Sequence, residues 1–179
     1  MENKGLIIVH TGDGKGKTTA ALGMALRAWG NHLRVLILQF IKGSWNYGEL
    51  AAIEVLSSID GRIKIRQGGL GFSQRGGDGT QEKHRRAVVE LLQMAMDELQ
   101  SDVWDMVILD EFNYAYAFGF IHLDDLEKLL SARPARTHLI FTGRNASSEL
   151  IDRADLVTEM RLVKHPFQKG IKAQKGIEF

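Results

Sequence analysis

A glycine-rich loop, placed between an apolar run and a helix-forming run, constrains this chain more than any other feature. The apolar residues 6–9 are followed by a stretch with glycine at positions 12, 14 and 16, and then by a run rich in alanine and leucine. Glycines spaced in this way let backbone N–H groups converge on an anion at a helix N-terminus, where the helix dipole favours negative charge. The order predicts a strand, a phosphate-binding loop and a helix.

The loop fits the pattern G-x-x-x-x-G-K-[ST] when Thr11 takes the first glycine position. In that pattern Lys17 neutralises the β- or γ-phosphate, and the Thr18 hydroxyl is placed to ligate Mg²⁺. A dinucleotide fold would need a third spaced glycine where this chain has Lys17. We therefore predict a nucleoside-triphosphate site formed by Thr11, Gly12, Asp13, Gly14, Lys15, Gly16, Lys17, Thr18 and Thr19.

An acidic signal lies at the end of a later apolar run. Residues 106–109 are apolar, and Asp110 and Glu111 follow them directly. A carboxylate at the end of a buried strand can reach a phosphate-bound metal directly or through water. This short sequence alone is weak evidence for a metal site, because any buried strand can end in aspartate. Together with a phosphate loop about 90 residues earlier, it indicates binding of ATP and Mg²⁺.

Short apolar runs and amphipathic stretches alternate along the rest of the chain. Residues 87–99 carry apolar side chains at the spacing of one helix stripe. The pattern predicts an α/β fold with a doubly wound, mostly parallel sheet and helices on both faces. No linker or repeat divides the chain, so we expect one domain over residues 1–179. Later strands are predicted at 35–38, 63–65, 106–109, 139–141 and 156–157. Several of these runs are apolar on successive residues, which is typical of strands covered on both faces.

The composition excludes several kinds of site and bears on where the protein is located. The chain has no cysteine, which excludes disulfides, thiolate metal sites and cysteine nucleophiles. It has no apolar run of the roughly 20 residues that cross a membrane, and no segment with signal-peptide character. We therefore expect a cytoplasmic protein without a membrane partner. The net charge is +1, but residues 62–86 and 161–179 are basic and could either attract a polyanion or form a solvated face.

Three functions are compatible with these residues alone. A hydrolysing ATPase or nucleic-acid motor would use Glu111 to orient water and the basic segments to hold phosphates. A small-molecule kinase would need an acceptor site and an arginine-bearing lid. A partitioning-type switch ATPase would carry a second lysine five residues before Lys17, where this chain has Gly12. The motifs by themselves therefore predict binding of ATP and Mg²⁺ but do not identify the reaction.

The chain as a whole resembles one family, the CobA-type ATP:corrinoid adenosyltransferases. The resemblance includes the loop at 11–19, residues 39–45 with Gly48 and Glu49, the Gly71-Phe72 pair and residues 109–111. It continues through the C-terminal third, in residues 133–134, 142–144, 154–155 and 163–177. The family implies a RecA-like fold of the phosphate-loop class.

The resemblance implies that the 5′-deoxyadenosyl group of ATP moves to the cobalt(I) of a reduced corrinoid while inorganic triphosphate leaves. This chemistry serves adenosylcobalamin biosynthesis or salvage. Cobalt(I) is itself the nucleophile, so the protein needs no general base and instead positions the reactants and stabilises the leaving group, a task that suits Lys17. The resemblance also implies that ATP binds the loop in the opposite orientation to that in ordinary phosphate-loop kinases. It implies that Thr18 and Glu111 hold Mg²⁺ (or Mn²⁺), with help from Asp110, and that Arg27 lies near the nucleotide.

The corrinoid site is likewise implied by the resemblance. Phe72 would press on the lower face of the corrin, and Trp45 and Tyr47 could supply an aromatic shelf or could instead be core residues. Enteric members have a tryptophan two residues after the phenylalanine, where this chain has Gln74. The smaller amide should exclude the lower ligand less well, so we expect corrinoids without the lower base to react better than cobalamin from cobalt(II).

The resemblance also predicts the partners of the protein. We expect an electron donor such as a reduced flavoprotein, because the corrinoid must arrive at the nucleophilic cobalt(I) state. We expect a second copy of the chain in a homodimer. We expect no nucleic acid, since the adenosyl acceptor is the corrinoid.

Overall fold

Strands and helices alternate along the chain. The computed structural model describes residues 4–41, 47–68 and 78–178. Each predicted apolar run lies in a strand, and the first helix begins directly after the glycine-rich loop. In chain order the elements are β1 (Ile7–Thr11), α1 (Lys17–Gly30), β2 (Val35–Gln39), α2 (Gly48–Asp60), β3 (Ile63–Gln67), α3 (Asp78–Gln100), β4 (Met106–Asp110), α4 (Phe112–Ala117), α5 (Leu123–Ala132), β5 (His138–Thr142), α6 (Ser148–Arg153), β6 (Leu156–Glu159) and a 3₁₀ helix (Pro166–Lys169).

The strands form one sheet in the order β3-β2-β4-β5-β1-β6. Every pairing between neighbouring strands is parallel. The strand that precedes the phosphate loop, β1, is separated from the strand that ends in Asp110, β4, by β5 alone. Because parallel strands all end at the same edge, the loop and the acid come together there. The doubly wound α/β class predicted from the sequence is confirmed.

Alternating side chains along each strand divide the core into two clusters. In β1, Ile7 and Val9 pack with residues of α3, α4, α5 and α6, whereas Ile8 packs with residues of α1 and α2. The same alternation holds in β4, where Val107 and Ile108 belong to opposite clusters. Helices therefore cover both faces of the sheet. This double burial explains why the four inner strands, β2, β4, β5 and β1, are apolar on successive residues, whereas the edge strands β3 and β6 are partly or fully exposed.

The helix α3 confirms the amphipathic stripe that the sequence predicts. Its buried side chains recur at the helical spacing, in Val88, Leu91, Leu92, Ala95 and Leu99. They pack into the cluster on the face of α4 and α5. Of the helices in the described ranges, none combines the length and the apolar character that a membrane crossing requires.

A row of polar side chains crosses the sheet at the carboxyl end of its strands. The strand register aligns Gln39 with Gln67 and with Asp110, and aligns His10 with Thr142. Each of these five residues follows by two positions an isoleucine that belongs to the α1 and α2 cluster or packs against it. They therefore lie on the face that α1 and α2 cover. We call these five residues the polar row.

The imidazole of His10 is a buried member of the polar row. His10 is 6% exposed, and neither ring nitrogen has a hydrogen-bond partner among the described residues. Burial lowers the pKa of His10, because a charged ring would lose its hydration. The folded protein therefore holds His10 neutral in a pH range where the histidine of an unfolded chain takes up a proton.

The substitution His10→Phe should make stability less sensitive to acid. The unfolded chain binds a proton at His10 near a pKa of about 6.5, whereas the folded chain resists it, so the free energy of unfolding falls as pH drops below that value. Removing the group removes a slope of at most about 1.4 kcal/mol per pH unit. Urea unfolding at about pH 7.5 and about pH 5.5 measures the difference.

The control for this prediction is His32→Asn, which replaces an exposed histidine in left-handed backbone that asparagine also adopts. His10→Phe should lose less stability than the parent between the two pH values, and His32→Asn should match the parent. An unchanged pH dependence in His10→Phe would show that the buried imidazole is not held neutral.

Candidate functional site

The phosphate loop runs from the end of β1 to the start of α1 and is shaped by left-handed glycines. Gly12 has φ of 92° and Gly16 has φ of 105°, values that residues with a side chain rarely adopt. Gly16 is the N-cap of α1, so the first helical residue is Lys17. The loop thus presents a helix N-terminus, where free N–H groups and the helix dipole favour an anion.

Two of the loop glycines also allow a close approach by the segment that follows β6. A Cβ added to Gly12 would lie 2.5 Å from the Met160 carbonyl oxygen, and one added to Gly14 would lie 2.7 Å from it. The Gly14 N–H donates to that same oxygen at 2.6 Å. The sequence pattern explains these glycines by the phosphate alone. The structure adds a second reason, because the chain itself passes against the outside of the loop.

The side chain of Lys17 is held inside the loop. Its ammonium group donates to the carbonyl oxygens of Gly12 and Gly14, at 2.7 and 2.5 Å. Burial lowers the pKa of Lys17, and the positive Arg144 lowers it further, while the carboxylates of Glu111 and Asp13 act in the opposite direction. Lys17 therefore stands in a cluster of charges drawn from the loop, the end of β4 and the end of β5.

The Thr18 hydroxyl is bonded to the acid that ends β4. Thr18 Oγ1 donates to Asp110 Oδ1 at 2.8 Å, across 92 positions of sequence. A hydroxyl has one proton and two lone pairs, so donation to Asp110 leaves the lone pairs of Thr18 free to face a cation. This bond brings together the two motifs that the sequence analysis paired.

Oxygen donors at this site fit Mg²⁺. Mg²⁺ takes one or two carboxylates and completes its octahedron with water and substrate phosphates. Thr18, Asp110 and Glu111 supply only oxygens, and no group of three His, Cys, Asp or Glu in the described parts of the chain could hold a metal by itself. A cation here would therefore depend on the nucleotide for part of its coordination, which is how Mg²⁺ accompanies ATP.

Glu111 adopts a left-handed backbone conformation at the start of α4. Its φ is 61°, and its N–H donates to the Thr142 hydroxyl at 3.0 Å. A residue with a Cβ in this conformation carries strain of about 1–3 kcal/mol, which the surrounding structure must offset. The turn places the Glu111 carboxylate in the cavity beside Lys17.

The loop opens into a cavity of about 660 Å³, within the size range of small-molecule sites. The phosphate-loop residues 13–19 form one wall. The other lining residues come from distant parts of the chain: Tyr47, Glu49, Glu111, Tyr114, Arg144, Ile177 and Glu178. Charged groups therefore line the cavity both on the loop and away from it, and two tyrosines are among the residues outside the loop.

Of the remaining predicted site residues, some lie at or beside the cavity and others fall outside the described part of the chain. Tyr47 reaches the cavity, at the start of α2. Thr11 is buried, and its hydroxyl accepts a bond from the Ala146 N–H, so this side chain supports the loop from below. Trp45, Phe72 and Gln74 lie outside the described residues.

Arg27 is not brought to the cavity. It lies in the last turn of α1, about 15 Å along the helix axis from Lys17 at 1.5 Å per residue. Its side chain is exposed and is absent from the cavity lining. A contact between Arg27 and the nucleotide stays a prediction that this geometry does not support.

Sequence reasoning did not assign three charged residues of the cavity to the site: Glu49, Arg144 and Glu178. Arg144 lies two residues after β5, and a charged residue just beyond the carboxyl end of a parallel strand is the signal that could have found it. Glu178 pairs with Lys15 although 163 positions separate them. No local pattern announces that contact, because only the fold returns the C-terminal segment to the loop.

Comparison with known proteins assigns the family. The family model described as ATP:corrinoid adenosyltransferase BtuR/CobO/CobP matches residues 3–179. The chain belongs to this family. The resemblance drawn from the motifs is confirmed, and the family is one of enzymes.

Curated relatives match this chain over more than four fifths of their own length. The corrinoid adenosyltransferase CobA of Salmonella typhimurium is 39% identical over 179 residues, which cover 100% of this chain and 88% of that protein. The corrinoid adenosyltransferase of Pseudomonas aeruginosa is 40% identical over 180 residues, covering 99% of this chain and 85% of that protein. That of Sinorhizobium sp is 40% identical over 181 residues, covering 99% and 82%.

A solved structure shares the fold at much lower identity. The flagellar accessory protein FlaH from Methanocaldococcus jannaschii superposes with a TM-score of 0.56 over 88% of this chain and 71% of that chain. The two sequences are 12% identical, so the likeness concerns the fold alone.

Gly14→Ala should destabilise the protein because the new methyl group would meet a backbone carbonyl oxygen at 2.7 Å. The strand-end segment at Met160 cannot move freely, since it also bonds β1, so we expect a loss of about 1–3 kcal/mol in the free energy of unfolding. Urea unfolding at neutral pH measures it.

Gly23→Ala is the matched control. Gly23 lies inside α1 with nothing within 4 Å of an added Cβ, so alanine should raise the free energy of unfolding by about 0.5–1 kcal/mol. Equal behaviour of the two variants would contradict the close packing of the loop against Met160.

Proposed function

We propose that this protein transfers the 5′-deoxyadenosyl group of ATP to the cobalt(I) of a reduced corrinoid and releases inorganic triphosphate. A bond forms between cobalt and ribose C5′ with the electron pair of cobalt(I), and the bond from C5′ to the bridging oxygen breaks. That oxygen leaves with the triphosphate. The observation that carries the proposal is the match to the adenosyltransferase family over residues 3–179.

The charges at the loop suit a triphosphate leaving group. Negative charge grows on the bridging oxygen as the C5′–O bond breaks, so fixed positive groups nearby lower the barrier. Lys17 at the N-terminus of α1 and Arg144 after β5 bring positive charge to the cavity from two separate parts of the chain. The attacking cobalt needs no proton removed, which agrees with a site built from charges and amides.

A divalent cation, Mg²⁺ or Mn²⁺, is part of the proposal. Thr18, Glu111 and Asp110 would hold it, directly or through water, together with phosphate oxygens. Bound there, it would neutralise part of the triphosphate charge. The support is the Thr18–Asp110 bond of 2.8 Å and the oxygen-only donor set.

The corrinoid is proposed to bind in the same cavity, against Tyr47. Tyr47 lines the cavity and could form part of a shelf for the macrocycle. Roles for Trp45, Phe72 and Gln74, and a preference for corrinoids without the lower base, remain predictions about residues outside the described ranges.

We also propose one domain, a homodimer, a cytoplasmic location and a reduced flavoprotein as electron donor. A single domain is supported by β1, which pairs with β5 and β6 from the far end of the chain. Exposed apolar side chains after β6 support a second copy of the chain, since Val163 is 94% and Phe167 is 77% exposed.

The product decides between this proposal and ATP hydrolysis. The full chain is incubated without oxygen or light with ATP, Mg²⁺ and a chemically reduced corrinoid, and the visible spectrum and phosphate products are followed. A cobalt–carbon bond with equimolar triphosphate is expected. Steady release of orthophosphate and ADP without corrinoid, and no alkylated corrinoid, would overturn the proposal.

Lys17→Ala should lower the rate of adenosyl transfer by about 10²-fold or more, because the leaving group loses a fixed positive charge. The rate is measured with saturating ATP and pre-reduced corrinoid. The control is Lys128→Ala, an exposed lysine on α5, which should keep the parent rate. A full rate in Lys17→Ala would contradict the assignment of the phosphate loop.

Arg144→Ala should also slow transfer, by about tenfold or more, because Arg144 faces the same cavity as Lys17. Arg144→Lys keeps a positive charge but loses the planar fork of donors, so it should recover only part of the rate. Single-turnover rates of the three proteins measure the effect. Equal rates in all three would remove Arg144 from the leaving-group site.

A further inference from the structure

The amide of Gln39 lies between the acid of the candidate metal site and the edge strand β3. Its Nε2 donates to Asp110 Oδ2 at 2.9 Å, and its Oε1 accepts from Gln67 Nε2 at 3.1 Å. Gln39 is 3% exposed and Asp110 is 1% exposed. The amide is therefore held on both sides in a place that is almost closed to solvent.

The two bonds determine which way round the Gln39 amide sits. A carboxylate accepts hydrogen bonds, so the nitrogen of Gln39 faces Asp110 and the oxygen faces away from it. Gln67 supplies the donor that this oxygen needs. The backbone adds a third connection, because the Gly68 N–H donates to the Gln39 carbonyl at 2.9 Å. Pairing between β2 and β3 thus keeps Gln39 in the orientation that donates to Asp110.

The orientation of the Asp110 carboxylate matters because its second oxygen, Oδ1, accepts the hydrogen bond from the Thr18 hydroxyl. Oδ1 accepts from Thr18 at 2.8 Å and from Thr142 at 2.6 Å, while Gln39 holds Oδ2. Rotation of the carboxylate would move Oδ1 away from the Thr18 hydroxyl. The lone pairs of that hydroxyl would then lose the orientation that the bond gives them. Gln39 and Thr142 therefore clamp the carboxylate from the two neighbouring strands.

We propose that Gln39 is a positioning residue for Mg²⁺·ATP, which acts by holding Asp110 so that the Thr18 hydroxyl stays oriented toward the metal. The inference rests on the metal and nucleotide part of the proposed function and on none of its corrinoid chemistry. Gln39 itself does not line the cavity. Gln67 acts one step further away, because it orients Gln39.

The test is a calorimetric titration of the full chain with ATP, once with Mg²⁺ and once with EDTA. Gln39→Met keeps the length of the side chain and removes both hydrogen bonds. Affinity for Mg²⁺·ATP should fall about 10- to 100-fold, the range found when partners of metal ligands are removed. Affinity for ATP in EDTA should stay close to that of the parent. Equal losses in both titrations, or no loss with Mg²⁺, would overturn the inference.

Gln67→Met provides a second variant at a half-buried position, in case Gln39→Met does not fold. It removes one neutral hydrogen bond, so the loss should be about fivefold and again confined to the titration with Mg²⁺. Gln93→Met, at an exposed position on α3, is the control and should bind as the parent does. An unchanged Mg²⁺·ATP affinity in Gln67→Met would contradict the proposed orientation of Gln39.

The wild-type titration separates this inference from the proposed function. A parent protein that binds ATP equally with Mg²⁺ and with EDTA would contradict the proposed metal site, and the role of Gln39 with it. A parent with Mg²⁺-dependent binding, together with a Gln39→Met variant that binds normally, would overturn only the role of Gln39. In that case the product assay for adenosyl transfer would be unaffected.

Discussion

A buried carboxylate, that of Asp110, connects the parts of this structure on which the site depends. Burying a charge is costly unless donors surround it. Asp110 is 1% exposed and accepts bonds from Gln39, Thr142 and Thr18, which belong to β2, β5 and the first turn of α1. Satisfying one charge therefore fixes two neighbouring strands and the phosphate loop relative to β4. The chemistry of the site and the packing of the sheet edge share the same bonds.

The loop is constrained from the outside as well. The segment after β6 passes against it at Met160, and Glu178 near the C-terminus pairs with Lys15. Residues far apart in sequence, such as Lys15 and Glu178, thus meet at the cavity. The segment after β6 is therefore part of the structure that surrounds the phosphate loop. Gly12 and Gly14 have no side chains, and this leaves room for Met160 to lie against the loop. A change in the segment after β6 should therefore disturb the loop.

Much of this could be predicted from short stretches of sequence. Glycine spacing, the lysine and threonine after it, and an acid at the end of an apolar run are local patterns that act through backbone geometry and helix dipoles. They were sufficient for the strand, loop and helix around Lys17 and for pairing Thr18 with the end of β4. Successive apolar residues were sufficient for the doubly wound sheet, because only strands covered on both faces need them.

The amino-acid pattern was enough to predict the fold class, the phosphate loop and the acid at the end of β4, since each is carried by short motifs or by the order of apolar runs along the chain. Which distant groups complete the site depends on how the chain folds in three dimensions. Arg144 and Glu178 reach the cavity, and Gln39 reaches Asp110, because of the strand order and because the C-terminal segment folds back onto the loop. Arg27, in contrast, lies at the far end of α1. The physical reason is that side-chain positions across the sheet are set by register and burial, which no stretch of neighbouring residues encodes.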